Sequence, residues 1–320
     1  MAEFLTFDTD LTAVANAIRA KGGTSAQLIY PSGFVSAIQA IQTGITPKLV
    51  VTTTPGAAIT ATPAEGFKVV KGTAGADGMC TLELPKAGTW HVTAMANSVS
   101  NSQHIVIGTQ NMLLPLYHDT FADNTWEEII AVCRTGIAPD SWAVGDSKTM
   151  NIGGTAYQVD IIGKNHDEYA DGSGTAPLTF QLHDCYSEAK QMYSTNLSGL
   201  GWKNTDMRLT YLPAILALMP AEVQNGIRAV NKKTSEGGNS TTIETVSDTL
   251  FLLSEVEIFG TASSSVAGEG SQYDYYKAGN PKIKKREGVD EFWWERSSAS
   301  GGMFCRVRAN GQAGASNASN

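Results

Sequence analysis

Phe292-Trp293-Trp294-Glu295-Arg296-Ser297 opens a run of Gly, Ser, Ala and Asn that reaches Asn320. Two tryptophans, an arginine and then short side chains around Phe304-Cys305-Arg306-Val307-Arg308 read as a rigid anchor under a display surface, a binder and not a catalyst. Successive side chains on a strand point to opposite faces, so one indole enters the core while the other faces an edge or a ligand. Burial of large indole area favours two core rings; the outer ring could also stack on a sugar. Arg296 reads as structural, pairing with an acidic neighbour and fixing the turn after it.

Outward from that anchor, the 320 residues allow two or three domains and a sizeable core. Charged residues are 17%, Gly numbers 32, and the abundance of Ser, Thr and Asn points to sheet and loop. A net charge of −8 and a pI near 5.2 exclude a phosphate-tracking nucleic-acid binder. The local basic run Lys282-Ile283-Lys284-Lys285-Arg286 reads as a solvated strand or hairpin. Cys80, Cys133, Cys185 and Cys305 lie far apart, with neither metal spacing nor the density of a disulfide framework, so buried reduced thiols are expected. No stretch approaches the roughly 20 apolar residues of a membrane span, and no export leader is visible.

Three segments follow, residues 1–46, 47–111 and 112–320. In the first, Asp10 caps a helix with Leu11, Val14 and Ile18 on one stripe, ended by Gly22-Gly23; a second helix carries Phe34, Ile38 and Ile41. Two such helices cannot fold alone, so their stripes should dock on another protein or another copy.

Residues 47–111 give short β runs spaced by turns, the pattern of a small β-sandwich, Ig-like or prealbumin-like. Leu82, Leu84, Trp90, Val92 and Ala94 should fill its core, with His91 and Thr93 outside. In residues 112–320, helix and strand mix. Thr125 caps a helix over Trp126–Arg134, Lys148–Ile152, Ala156–Ile162 and Leu178–Leu182 read as strands, Leu212–Met219 and Ala221–Val230 as short helices, and Asp248–Phe259 as one or two central strands. His183-Asp184-Cys185 offers a nucleophile and a base without a visible orienting third group. Asn165 to Gly172 carries oxygen ligands but not in EF-hand order, and reads as a polar surface loop.

Five ordered motifs, Trp126-Glu127-Glu128-Ile129, Trp142-Ala143-Val144-Gly145-Asp146, Met207 to Pro213, Leu250 to Gly260 and Trp293-Trp294-Glu295-Arg296-Ser297, resemble a family of domains of unknown function common in tailed phages and prophages of gut bacteria. That family looks related to the C-type-lectin-like and formylglycine-generating-enzyme-like fold, whose last strands display a variable surface. The family usually carries leucine where Glu295 stands and often proline where Ser298 stands. Residues 1–46 are likewise similar to a tail-protein element found ahead of such domains.

The resemblance implies a phage tail-tip or tail-fibre receptor-binding protein of the virion, assembled in the bacterial cytoplasm and not an enzyme. The implied architecture is multidomain α+β: a helical coupling segment, an Ig-like spacer and a C-type-lectin-like receptor-binding domain. A host cell-surface glycan or protein would bind at Trp294, Ser298, Met303, Arg306, Arg308, Asn310, Gln312, Asn317 and Asn320, helped by Tyr273, Tyr275 and Tyr276. Tyr, Ser, Gly and Asn are the adaptable chemistry of paratopes. No cofactor and no metal is expected, nor nucleic acid or membrane insertion. The partners are other tail proteins, through residues 1–46, and copies of the chain in a homotrimer. In some lectin-like relatives a retroelement that mutates adenines diversifies the terminal segment, which Asn310, Asn317 and Asn320 would fit. The alternatives are a purely structural baseplate or fibre component, or a lectin-fold enzyme.

Overall fold

A computed structural model describes residues 12–18, 47–64, 68–107, 110–195, 199, 201–238 and 240–320. The chain is mixed α+β, mostly small sheets with few helices, and it divides into two compact units, Met1–Leu116 and Tyr117–Asn320. The division falls later than the expected boundary after residue 111. Strand β7 (Gln110–Leu113) pairs in parallel with β1 (Lys48–Thr52), and Leu114 and Leu116 are buried in the same core. That burial is what carries the first unit past its last strand.

Residues 12–18 are helical (α1), with Ala15 and Ile18 buried but Val14 47% exposed, so the expected stripe through Val14 is corrected. The second N-terminal helix, with Phe34, Ile38 and Ile41, lies outside the described residues.

From residue 47 two sheets enclose one core. The first has the order β4-β1-β7, with β4 at Met79–Glu83. The second has the order β3-β2-β5-β6, with β2 at Ala58–Pro63, β3 at Val70–Thr73, β5 at Gly88–Ala96 and β6 at Val99–Ile107. Leu49 and Val51 on β1 meet Ile59 and Ala61 on β2, Leu82 on β4 and Trp90, Val92 and Ala94 on β5, all within 2% of full burial. Strict alternation puts every second side chain on the inner face, which is why this core follows from periodicity. His91 and His104, opposite each other in the β5–β6 register, stack outside it with centroids 4.4 Å apart.

In the second unit, helix α2 (Trp126–Cys133) starts at a reciprocal capping box: the Glu128 amide donates to Thr125 Oγ1 at 3.2 Å, and the Thr125 amide donates to Glu128 Oε2 at 2.7 Å. Its inner face packs Trp126, Ile129 and Val132 with Trp142, Val159 and Ile161. The sheet order there is β10-β9-β8, from β8 (Ser147–Ile152), β9 (Thr155–Gly163) and β10 (Thr179–Leu182). Helices α3 (Leu212–Leu216) and α4 (Ala221–Gly226) are shorter than expected, and Val230 already belongs to strand β11 (Val230–Ser235).

The expectation of strands over Asp248–Phe259 is corrected. Strand β12 (Ile243–Asp248) pairs with β11 and ends there, and α5 (Glu255–Phe259) follows. Its signal lies in the sequence: Ser254 and Glu257 form a second capping box, and Gly260 closes the helix with φ +78°. Of the tyrosine cluster, Tyr275 and Tyr276 lie on α6 (Asp274–Lys277) and Tyr273 is its N-cap residue.

The basic run becomes a hairpin of β13 (Lys284–Arg286) and β14 (Val289–Glu291), although Lys284 turns inward and is buried. The quoted stretch forms β15 (Trp293–Ala299), the first strand of an antiparallel sheet with β16 (Met303–Val307) and β17 (Ala313–Asn317).

Candidate functional site: a C-terminal sheet on a buried ionic core, beside an apolar cleft

Strand β15 is buried almost throughout. Trp294 is 7% exposed, and Glu295, Arg296 and Ser297 are fully buried. A register shift between Trp294 and Ser298 lets the strand bulge, so consecutive polar residues all face protein.

Arg296 spends all five of its N–H donors. Its guanidinium reaches Glu257 at 2.5 and 2.9 Å and the carbonyls of Leu252, Lys233 and Glu269 at 2.9–3.1 Å. Glu257 is shared with Lys232 at 2.6 Å, and Lys232 also reaches Asp167 at 2.7 Å and the Tyr273 hydroxyl at 3.0 Å. Burial pushes the Glu257 carboxyl up, but Arg296 and Lys232 outweigh it and hold it at about 2. Its stabilisation is therefore present above the ordinary carboxylate range and lost as pH falls towards that value. Glu269 accepts from the Ser235 amide at 2.8 Å and from the Ser297 hydroxyl, tying β11 to β15. Five segments far apart in sequence thus meet on one charge network.

Glu295 is the exception. Both its carboxylate oxygens are buried without a hydrogen-bond partner among the described residues. Burial, with Glu255 and Glu269 nearby, pushes its carboxyl well above the usual range, which favours the protonated form.

The expected contact residues divide sharply. Tyr273, Tyr275, Tyr276, Trp294 and Ser298 are at most 8% exposed, and their place on a contact surface is corrected. Tyr273 is spent on Asp167 at 2.7 Å, Tyr276 on Gln181 at 2.6 Å, Trp294 on the Lys190 carbonyl at 3.0 Å and Ser298 on Ser235 at 2.8 Å. The polar tips of these four are satisfied inside, so hydrogen bonds offset the cost of taking them out of water.

Met303 and Arg306 are half-buried, the latter with its guanidinium 4.6 Å from the centre of the Phe292 ring. Arg308, Asn310, Gln312, Asn317 and Asn320 are exposed. The first three form the β16–β17 turn, closed by Arg308 N–H to Gln312 O at 2.8 Å and by Gly311 N–H to Arg308 O at 2.8 Å. Behind it, the Ala318 carbonyl accepts from the Met192 and Tyr193 amides at 2.9 and 3.0 Å, pinning the end of the sheet to the unit.

Among the described residues no group of three or more His, Cys, Asp or Glu forms a metal-holding set. In the expected surface loop, Asp167 is instead buried in the ionic core. Sequence reading missed the group that orients His183: its Nδ1 lies 2.7 Å from Asp160 Oδ2. Nothing in the spacing marks that pair, since β9 and the end of β10 meet only in the sheet. The thiols are poorly poised as nucleophiles, since burial pushes Cys133 up to about 12 and raises Cys185 and Cys305 as well.

Beside the C-terminal sheet lies a cleft of about 600 Å³ that no sequence pattern announced. Its walls come from α2 (Ile129), β10 (Phe180, Leu182), α3 (Ile215) and β15 (Trp293, Trp294).

No curated protein and no solved structure matches the chain. Residues 179–320 match the model of a family described as a domain of unknown function, DUF6273. The matched stretch carries Lys232, Glu257, Glu269 and Arg296 of the ionic core and all of the C-terminal sheet, whereas Asp167 precedes it.

Proposed function

We propose that this chain is an attachment protein of a phage tail, with residues 117–320 as a receptor-binding unit of C-type-lectin-like kind. The exposed turn Arg308–Gln312, with Asn317 and Asn320, is its contact surface for a host cell-surface glycan or protein. The observation that carries the reading is the pairing of that polar, exposed turn with a strand whose arginine is fully buried and fully hydrogen-bonded. Contact residues on a rigid support lose little entropy on binding, which is how small polar side chains become an effective surface. Residues 47–111 are an Ig-like or prealbumin-like spacer, residues 1–46 couple to other tail proteins, and the assembly is a homotrimer within the virion.

The test is a triple variant, Arg308→Ala, Asn310→Ala and Gln312→Ala, built into the particle. Exposed substitutions of this kind leave folding nearly unchanged. Intact particles that no longer adsorb to cells support the reading. Normal adsorption overturns it, and particles that fail to assemble point instead to a purely structural baseplate or fibre component.

A further inference from the structure

The cleft lies outside the proposed contact turn, and its chemistry is of another kind. At about 600 Å³ it falls within the range of about 300–1,000 Å³ typical of small-molecule sites, and its walls are largely aromatic and aliphatic. Four cations line it. Three are neutralised on the spot: Lys190 by Glu188 at 2.6 Å, Arg228 by Asp171 at 2.5 Å, and Arg286 by Glu291.

The fourth, Lys284, has no ion-paired carboxylate among the described residues, although it is 7% exposed. Its ammonium donates to the Leu182 and His183 carbonyls, the latter at 2.8 Å, and lies 5.5 Å from the centre of the Trp293 ring. An ammonium has three N–H donors, so one is left for a group in the cleft. Neither nearby carboxylate ion-pairs with it: Asp160 gives Oδ2 to His183 at 2.7 Å while its Oδ1 is buried without a hydrogen-bond partner among the described residues, and Asp184 accepts from the Lys285 amide at 2.7 Å. A buried cation with no carboxylate in direct contact is unfavourable, and burial lowers the Lys284 amine to about 8 although the more distant Asp160, with Cys185 and Asp184, acts to raise it.

We propose that the cleft binds a soluble amphiphile with one carboxylate on an apolar body, the carboxylate pairing with Lys284 while the body fills the aromatic and aliphatic walls. A neutral apolar ligand would leave Lys284 without a counterion, and a cationic one would meet it as a like charge. A dianionic ligand would find only one cation free. The proposal does not rest on the attachment reading, because the cleft walls include none of Arg308, Asn310 and Gln312, and of the contact surface only Asn320 borders the cleft.

The test uses the full chain and the fluorescent probe N-phenyl-1-naphthylamine, displaced by dodecanoate, dodecanol or dodecyltrimethylammonium below their micelle concentrations. Dodecanoate should displace the probe at roughly tenfold lower concentration than dodecanol, the scale of one charge-assisted contact, and the ammonium should be weakest. Lys284→Gln should bring dodecanoate to the level of dodecanol while dodecanol still competes. Equal potency of acid and alcohol on the unaltered protein, or no displacement by either, overturns the proposal.

Because Lys284→Gln removes two hydrogen bonds to carbonyls and could unfold the unit, a second measurement needs no variant. Cys133 and Cys185 both line the cleft, and Cys80 lies in the other unit. Dodecanoate should slow alkylation of the first two, read by mass spectrometry, and leave Cys80 unchanged; unslowed alkylation of Cys133 and Cys185 overturns the proposal.

Discussion

The two units solve burial in opposite ways. The core of the first is apolar, built from alternating strand residues such as Leu49, Ile59, Leu82 and Trp90. The second keeps several apolar clusters apart and places between its segments a network of Lys232, Asp167, Glu257, Glu269 and Arg296, each at most 4% exposed. An apolar core is non-directional and tolerates exchange of shape for shape. A buried ionic core is directional: once assembled it fixes which segments meet, and losing one member strands the others. The difference teaches where each unit is brittle.

The largest expected effect breaks that contrast directly. Arg296→Met leaves Glu257 with Lys232 and the Ser254 amide, and takes a charged donor from the Leu252, Lys233 and Glu269 carbonyls, of which the last keeps the Ser254 hydroxyl. The second unit should lose about 3–5 kcal/mol, the usual consequence of removing one partner of a buried pair. Urea denaturation with residue-resolved hydrogen exchange would show the loss confined to residues 117–320. A loss below about 1 kcal/mol would mean that the network is ornamental to stability.

Next in size, and opposite in sign, is Glu295→Leu. A buried carboxyl without a partner costs about 1–3 kcal/mol, so its removal should stabilise the second unit by that amount at pH 7. The sign with pH is fixed. The raised folded value makes the carboxyl favourable only below its ordinary value of 4.5, and that contribution is lost as pH rises towards the folded value. The advantage of the leucine should therefore be small in acid and grow on the way to neutrality; a pH-independent difference in denaturation midpoint would refute it.

The smallest effect lies in the first unit. Leu82→Met conserves volume in an apolar core and should cost less than about 1.5 kcal/mol in thermal or chemical unfolding. A larger loss would show that this core, too, is shape-locked.

Legibility in the sequence follows the same line. Leu82, Leu84, Trp90, Val92 and Ala94 were readable because a period of two is a local signal, and all five are buried. The cap at Thr125 was readable for the same reason. Asp248–Phe259 was misread because its apolar run outweighed the box made by Ser254 and Glu257. The partners of Arg296 were illegible, since Glu257 lies 39 residues away, and Lys232 and Asp167 are a further link removed across 65 residues. Polar side chains at such separations carry no periodicity, so Trp294, Tyr273 and Ser298 looked like surface chemistry when they serve the interior. Of the candidate contact surface, only Arg308, Asn310, Gln312, Asn317 and Asn320 stood out both in the sequence and on the exterior. The cleft was not readable at all, because its walls are assembled from distant elements.

The antiparallel register of β16 and β17 carries a corollary. Gly314, Ser316 and Ala318 face inward while Asn317 faces out. One residue added to the Arg308–Gln312 turn would exchange the two sets and drive an asparagine into the interior. The residues of this turn can thus be exchanged without disturbing the sheet, whereas its length cannot.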